Sequence, residues 1–383
     1  MPDGVRTYRK HDSFVALKQR TPLPDPKPRL QALLERGGDR GLDARKAQLA
    51  RRAARELLGL ERPDQAEPFQ LHANVQEELA RLDDSELPRY LFYRYRYETY
   101  PQRKLLDAWP PCVQIEPTSA CNFRCVFCYQ TDAEFTRKSN GHMGMMSLDL
   151  FKEIVDQIKG EVEAVTLASR GEPLICPDLE RMLAYAGGKF LALKINTNAS
   201  LLTEAKCHAI LASGPSTVVF SADAASEPAY SRLRVGGSLE KVLANVRMFA
   251  EIKARRYPRS RAITRVSGVK VEGSGNLGQM ERLWGDFVDQ VAFVSYNPWE
   301  NAYTAAPTGV EAPCSDLWRR LFVWWDGRVN PCDVDFKSTL SVGSFKSSEI
   351  PELWRSEAYE RLRADHLEKK RSGLPLCSRC AVI

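Results

Sequence analysis

Three cysteines, Cys121, Cys125 and Cys128, stand as C-x3-C-x2-C in the run Cys121-Asn122-Phe123-Arg124-Cys125-Val126-Phe127-Cys128-Tyr129. Three thiolates can hold three corners of an iron–sulfur cube, which leaves the fourth iron open to bind and reduce a small molecule. A structural zinc knuckle instead pairs its ligands as C-x2-C with a second pair downstream. The isolated trio with one longer gap suits the cube better, with zinc as the alternative. A second set lies near the C-terminus, where Cys314 and Cys332 are followed by Cys377-Ser378-Arg379-Cys380. Four thiolates fully ligate either zinc or a four-iron cluster, and spacing alone leaves those two balanced.

The elements that must position these thiols can be read from the pattern of the chain. From Cys112 onward, short β-rich runs near 112–117, 163–168, 190–196, 217–222, 264–271 and 291–296 alternate with helical segments. The helical segments fall near 147–159, 177–186, 203–213, 238–254 and 278–286. Such alternation gives parallel strands with crossover helices. Six units are too few for a closed eight-fold barrel, so the fold class is α/β, a partial (β/α)6 TIM-like barrel. The trio then sits on the loop just beyond the first strand, at the C-terminal mouth.

Residues 1–105 read as a mainly helical, charged extension, with helical spacing over 30–34 and 44–60 and a break at Gly37-Gly38. Pro22 to Pro28 reads as an extended linker. The aromatics Tyr90, Phe92, Tyr93, Tyr95, Tyr97 and Tyr100 are expected to pack onto the next domain. Residues 106–311 form the barrel and 312–383 a cysteine-rich module. In that module Asp326-Gly327 turns a hairpin and one helix covers roughly 350–370.

Composition limits the function classes. The 383 residues carry a formal charge of +6, mild for the size, and the basic runs Arg6-Thr7-Tyr8-Arg9-Lys10 and Arg51-Arg52-Ala53-Ala54-Arg55 read as solvated faces, not a nucleic-acid platform. No apolar run is long enough to span a membrane and the N-terminus lacks a secretory pattern, so the expected location is cytoplasmic. Ten cysteines there argue for metal ligation over disulfides. The five histidines show no metal spacing.

The trio resembles the cluster motif of the radical S-adenosylmethionine (radical SAM) enzymes, including the aromatic Phe127 before its last cysteine. The resemblance continues through Ser169-Arg170-Gly171-Glu172-Pro173, Asn196-Thr197-Asn198-Ala199, Ser221-Ala222-Asp223 and Arg234. It implies cofactor contacts from Phe127, Gly171, Glu172, Asn198, Ser221 and Arg234. Of these, Gly171 and Glu172 would hold the methionine amino group, and Ser221 and Arg234 its carboxylate. Arg170 and Ala199 stand where the family usually has glycines. The tail cysteines resemble the auxiliary-cluster modules called SPASM and twitch. The resemblance therefore implies S-adenosylmethionine, a [4Fe–4S] cluster on Cys121, Cys125 and Cys128, and a second on Cys314, Cys332, Cys377 and Cys380.

These parts imply hydrogen abstraction by a 5′-deoxyadenosyl radical, with the second cluster as electron acceptor and a flavodoxin- or ferredoxin-type electron donor. The expected substrate is a small polar molecule such as a sugar or cyclitol, and the expected outcome is dehydrogenation. A peptide-modifying maturase and a redox-neutral epimerase are the alternatives. Strand alternation puts Arg265 and Ser267 on one face, with Glu272 near that strand's end and Asn297 past the sixth strand. Arg170, Arg265 and Glu272 are candidates for binding or proton transfer. Cys176, just past the Glu172 loop, is a candidate hydrogen-atom donor. Cys112 and Cys207 read as small buried hydrophobes.

Overall fold

The computed structural model describes residue 7 and residues 14–36, 41–63 and 66–383. The chain begins with strand β1 (Phe14–Gln19) and helices α1 (Lys27–Arg36), α2 (Ala44–Leu57), α3 (Ala73–Ala80) and α4 (Leu87–Arg103). Strand β2 (Cys112–Ile115) opens the barrel, and the short β3 (Arg124–Cys125) lies within the cysteine run, followed by α5 (Ala133–Thr136). Alternation then runs α6 (Leu148–Ile158), β4 (Ala164–Leu167), α7 (Leu179–Ala186), β5 (Ala192–Thr197), α8 (Glu204–Ala212), β6 (Thr217–Ser221). It continues with α9 (Glu227–Leu233), the short β7 (Arg234–Val235), α10 (Leu239–Arg256), β8 (Ile263–Lys270), α11 (Leu277–Trp284) and β9 (Gln290–Ser295). The tail adds β10 (Arg320–Val323), β11 (Arg328–Asn330), β12 (Gly343–Ser344), α12 (Ile350–Trp354) and α13 (Glu357–Leu367).

Crossover helices α6, α8, α10 and α11 start behind a capping side chain and bury apolar residues at helical spacing, whereas α7 has the apolar stripe without the cap. In α6, Ser147 accepts from the Leu150 N–H, and Leu148, Phe151, Ile154, Val155 and Ile158 make one buried stripe. Those stripes cover the outer face of β2, β4, β5, β6, β8 and β9, which pair in parallel in that spatial order. The arrangement is the six-unit partial barrel expected from the sequence. Helix α4 buries its aromatics against Cys112, Ala164 and Ala192 at the starts of three strands, so the extension closes the N-terminal end of the bore.

The extension is mainly helical as expected, but it also carries a strand, β1, which pairs antiparallel with β9 along one edge of the sheet. Its burial does not alternate cleanly, with exposed Val15 and Lys18 flanking half-buried Ala16 and Leu17 beside a register shift, so six residues leave little periodic signal. The linker expected over 22–28 is partly helix, since α1 already starts at Lys27. The helix expected over 350–370 is two helices, because Ser356 accepts from the Tyr359 N–H and starts α13 afresh.

The Asp326-Gly327 hairpin forms, with Gly327 at φ +87° where a side chain would be strained. Its strand β10 also pairs in parallel with β2 and extends the barrel sheet. The sheet thus crosses both expected domain boundaries. Arg6, Tyr8, Arg9, Lys10 and the Gly37-Gly38 break lie outside the described residues. Among the described residues no helix is long and apolar enough to cross a membrane.

Candidate active site

At the C-terminal ends of the strands opens a cavity of about 390 Å³. Cys121, Cys125 and Cys128 line it together with Phe127, Gly171, Glu172, Asn198, Ser221 and Arg234, so every residue taken from the motif series meets in one place. None of the ten cysteines forms a disulfide.

Local geometry explains the spacing of the trio. The Cys125–Arg124 segment pairs antiparallel with Arg234–Val235, which ties the loop to the end of α9. The Phe123 N–H donates to Cys121 Sγ at 3.4 Å, and the Arg234 guanidinium reaches Cys125 Sγ at 3.9 Å. Burial pushes the Cys121 thiol up to about 12 and raises Cys125 and Cys128 as well. As bare groups these thiols stay protonated, so a cationic centre must draw off their protons to make ligands of them. Among the described residues no three His, Cys, Asp or Glu side chains close to the spacing of a single metal ion.

Gly171 is fixed by close approach. A Cβ on it would stand 2.3 Å from the Thr118 carbonyl oxygen and 2.4 Å from that of Ala120. The Glu172 carboxylate turns inward and accepts from the Thr197 hydroxyl at 2.6 Å and the Asn198 and Leu174 N–H groups at 2.7 and 3.1 Å. Burial nonetheless raises its pKa, with those three donors opposing. The Asn198 amide is spent on the cysteine loop: it donates to Asn122 Oδ1 at 3.0 Å and accepts from Ser200. Ala199 adopts the left-handed conformation at φ 61°, so the turn expected to need glycine forms around alanine.

The catalytic candidates separate. Arg170 is a bracket. Its Nε donates to Glu116 at 2.7 Å and its other edge bonds the same carboxylate, while Nη1 donates to the Phe336 carbonyl at 2.9 Å. Its guanidinium also lies 4.3 Å from the Trp324 ring centre. Arg170 lines the cavity, and with both partners buried its guanidinium joins barrel to tail. The residue before it, Ser169, carries φ 154°, a conformation that favours glycine.

Arg265 and Ser267 line the cavity, as does Asn297. Glu272 does not. Strand β8 ends at Lys270, and Glu272 lies exposed in the following turn, outside the cavity. Cys176 does not either; it is buried in the hydrophobic core behind the strands and is absent from the cavity wall. Cys112 and Cys207 are buried as expected. Sequence reading missed Lys194, which shares the inward face of β5 with Asn196 and lines the same cavity. Alternation along that strand carried the signal.

The four tail thiols gather separately. Burial raises the pKa of Cys314, to about 12, and of Cys332 and Cys377, and each lies close enough to Cys380 for its negative form to raise it further. Buried Arg371 holds this loop by donating to the carbonyls of Cys377 at 2.9 Å, Cys380 at 2.5 Å, Ala312 at 2.8 Å and Val382 at 2.9 Å. Four soft donors around a fixed loop fit a fully ligated iron–sulfur cluster, and the trio fits a cluster with one open corner.

Comparison with known proteins agrees with this division. Residues 115–264 match the Radical SAM superfamily, and residues 314–381 match SPASM, described as an iron–sulfur cluster-binding domain. The AdoMet-dependent heme synthase of Methanosarcina barkeri is 27% identical over 138 residues, covering 36% of this chain and 38% of the synthase. The tungsten-containing aldehyde ferredoxin oxidoreductase cofactor-modifying protein of Pyrococcus furiosus is 28% identical over 320 residues, 70% of this chain and 86% of that one. Among solved structures, BtrN in complex with AdoMet and 2-DOIA superposes with a TM-score of 0.50 at 16% identity, covering 72% of this chain and 94% of BtrN. That likeness shows the fold.

Proposed function

Because the chain belongs to the radical SAM superfamily and carries a C-terminal SPASM domain, we propose that it dehydrogenates a small polar substrate of the sugar or cyclitol kind. Its chemistry depends on S-adenosylmethionine and iron–sulfur clusters, as those two domains imply. When bound, S-adenosylmethionine and a [4Fe–4S] cluster on Cys121, Cys125 and Cys128 supply a 5′-deoxyadenosyl radical for hydrogen abstraction, and a second [4Fe–4S] cluster on Cys314, Cys332, Cys377 and Cys380 supplies the acceptor for the remaining electron.

The chain's own residues position the reactants. Arg234 spends one edge of its guanidinium on buried Asp223 and keeps the other toward Cys125, where it can take the cofactor carboxylate beside Ser221. Phe127 lies 5.7 Å from that guanidinium and offers its ring to the adenine. The Asn122–Asn198–Ser200 network holds the cysteine loop against the end of β5. The extension closes the strand starts and keeps water from the bore. The electron donor is of the flavodoxin or ferredoxin type.

One observation carries the reading: a single cavity holds the trio, the motif residues and the inward polar face of β5 and β8. Its volume suits a small substrate beside the cofactor. Iron and sulfide content after anaerobic reconstitution tests it, for wild type beside Cys125→Ala and Cys332→Ala. About eight irons, falling to about four in either variant, support two cubes and oxidation. About four irons lost only with Cys125→Ala, and zinc in the tail, would replace oxidation by a redox-neutral reaction.

A further inference from the structure

Below the thiol mouth, the bore narrows into a second chamber of about 140 Å³, and Lys194, Arg265 and Arg320 line both spaces. The three come from β5, β8 and β10, on the inward faces of strands that lie apart in the sheet. Arg320 is satisfied: its guanidinium donates to the Tyr97 hydroxyl, at 2.9 Å from Nε, and stands 4.0 Å from Asp316. Lys194 and Arg265 are not. Among the described residues no carboxylate oxygen lies within the 4.0 Å ion-pair distance of either.

Arg265 donates from Nε to Gln290 at 2.6 Å and rests 4.8 Å from the Phe14 ring, but its buried Nη2 has no partner. The acid that both cations feel is Glu78, which lines the lower chamber but is engaged by the Tyr90 hydroxyl at 2.6 Å and the Thr217 hydroxyl at 3.5 Å. Burial, with Arg265 and Arg320 nearby, holds the Lys194 ammonium down at about 7. A buried Arg265 and a half-buried Lys194 facing one another across a polar space are costly unless a negative charge comes between them. In the same wall, Asn196 Oδ1 and Asn297 Nδ2 are buried without partners and could serve neutral polar groups of the same ligand.

We propose that Lys194 and Arg265 form an anion subsite and that the substrate of this enzyme carries a carboxylate or a phosphate group, bound in the bore beneath the cofactor. The proposal rests on the reading above only in placing substrate in this cavity. Arg265 supplies a planar donor edge and Lys194 a compact charge with three donors, a combination that serves either anion. The polar remainder of the substrate then extends toward Asn196, Asn297 and the mouth.

Isothermal titration of the reconstituted protein with inorganic phosphate, with succinate and with neutral succinamide tests this, for wild type, Lys194→Met, Arg265→Gln and the exposed control Lys346→Met. Expected is saturable binding of at least one anion at about millimolar concentration, none of succinamide, a loss of about tenfold or more in the first two variants and none in the control. Preference for phosphate over succinate, or the reverse, identifies the group. Equal affinity in wild type and Lys194→Met, or no saturation by either anion, overturns the proposal. Lys194→Met carries the test if Arg265→Gln fails to fold, because Lys194 makes no side-chain hydrogen bond among the described residues. Release of 5′-deoxyadenosine from S-adenosylmethionine by reduced wild type is followed in parallel. Its absence beside intact anion binding would overturn the proposed function and leave the subsite standing.

Discussion

Cations in the mouth of the barrel and cations in its bore are treated differently by the fold. At the mouth, Arg170 is clamped by Glu116 and Arg234 by Asp223, and all four residues are buried. A few residues deeper, Lys194 and Arg265 have polar neighbours but no carboxylate partner among the described residues. Each mouth cation has its own counter-charge and so serves as a fastener, even though Arg234 keeps one edge toward Cys125. The bore pair is left incomplete, and an incomplete buried charge is a cost that a folded protein keeps where a ligand relieves it.

Breaking a mouth pair should have the largest effect. Glu116→Gln leaves the Arg170 guanidinium buried without its counter-charge and is expected to cost about 3–5 kcal/mol, read from urea unfolding. Retained stability in that variant would erase the distinction between mouth and bore.

Asp289 offers an intermediate case. It accepts from Lys253 at 3.0 Å, from Arg81 of the extension at 3.0 Å and from the Thr264 N–H at 2.8 Å. Burial works to raise its pKa, yet Lys253, the Thr264 N–H and Arg81 outweigh it and hold the group at about 2. Because the folded pKa lies below the unfolded value, its stabilisation is complete above pH 4 and fades as pH falls toward 2. Asp289→Asn should therefore cost about 2 kcal/mol at neutral pH, and the difference from wild type should shrink in acid.

In the bore the sign reverses. Lys194→Met removes a half-buried charge without a carboxylate partner among the described residues and should stabilise the ligand-free protein by roughly 1 kcal/mol, seen as a raised denaturation midpoint. A loss of stability would mean that the bore is as complete as the mouth. Ala199→Gly should do least. It relieves about 1 kcal/mol at the left-handed turn and forfeits about 0.8 kcal/mol from one buried methyl group, so the net change stays within about 0.5 kcal/mol.

The same contrast explains what was legible in the sequence. Cysteine spacing, strand–helix alternation and the order of short motifs are local properties, and they led to the cavity and the barrel. The clamp on Arg170 was not legible, because its partner Glu116 lies far away in sequence and only the fold brings the two together. Glu272 was placed by counting along β8, yet the chain leaves the wall at Lys270, short of it. Cys176 follows the Glu172 loop closely but turns into the core with Leu174 and Leu179. Lys194 was readable by alternation and was passed over because lysine on a strand usually faces water. The edge strand β1 and the pairing of β10 with β2 depend on distant partners and leave almost no trace in local pattern.

That last pairing sets an order of events during synthesis. Strand β2 emerges before the rest of the barrel, yet one of its two neighbours, β10, lies on the far side of five barrel units. Until residues 320–323 leave the ribosome, β2 presents an open row of backbone donors and acceptors, the kind of edge that invites mispairing. The closing contact is also among the most distant in sequence, which slows folding and favours a single late, cooperative step. A chain halted before the tail would carry all three mouth cysteines on a loop whose supporting strand is still unfinished.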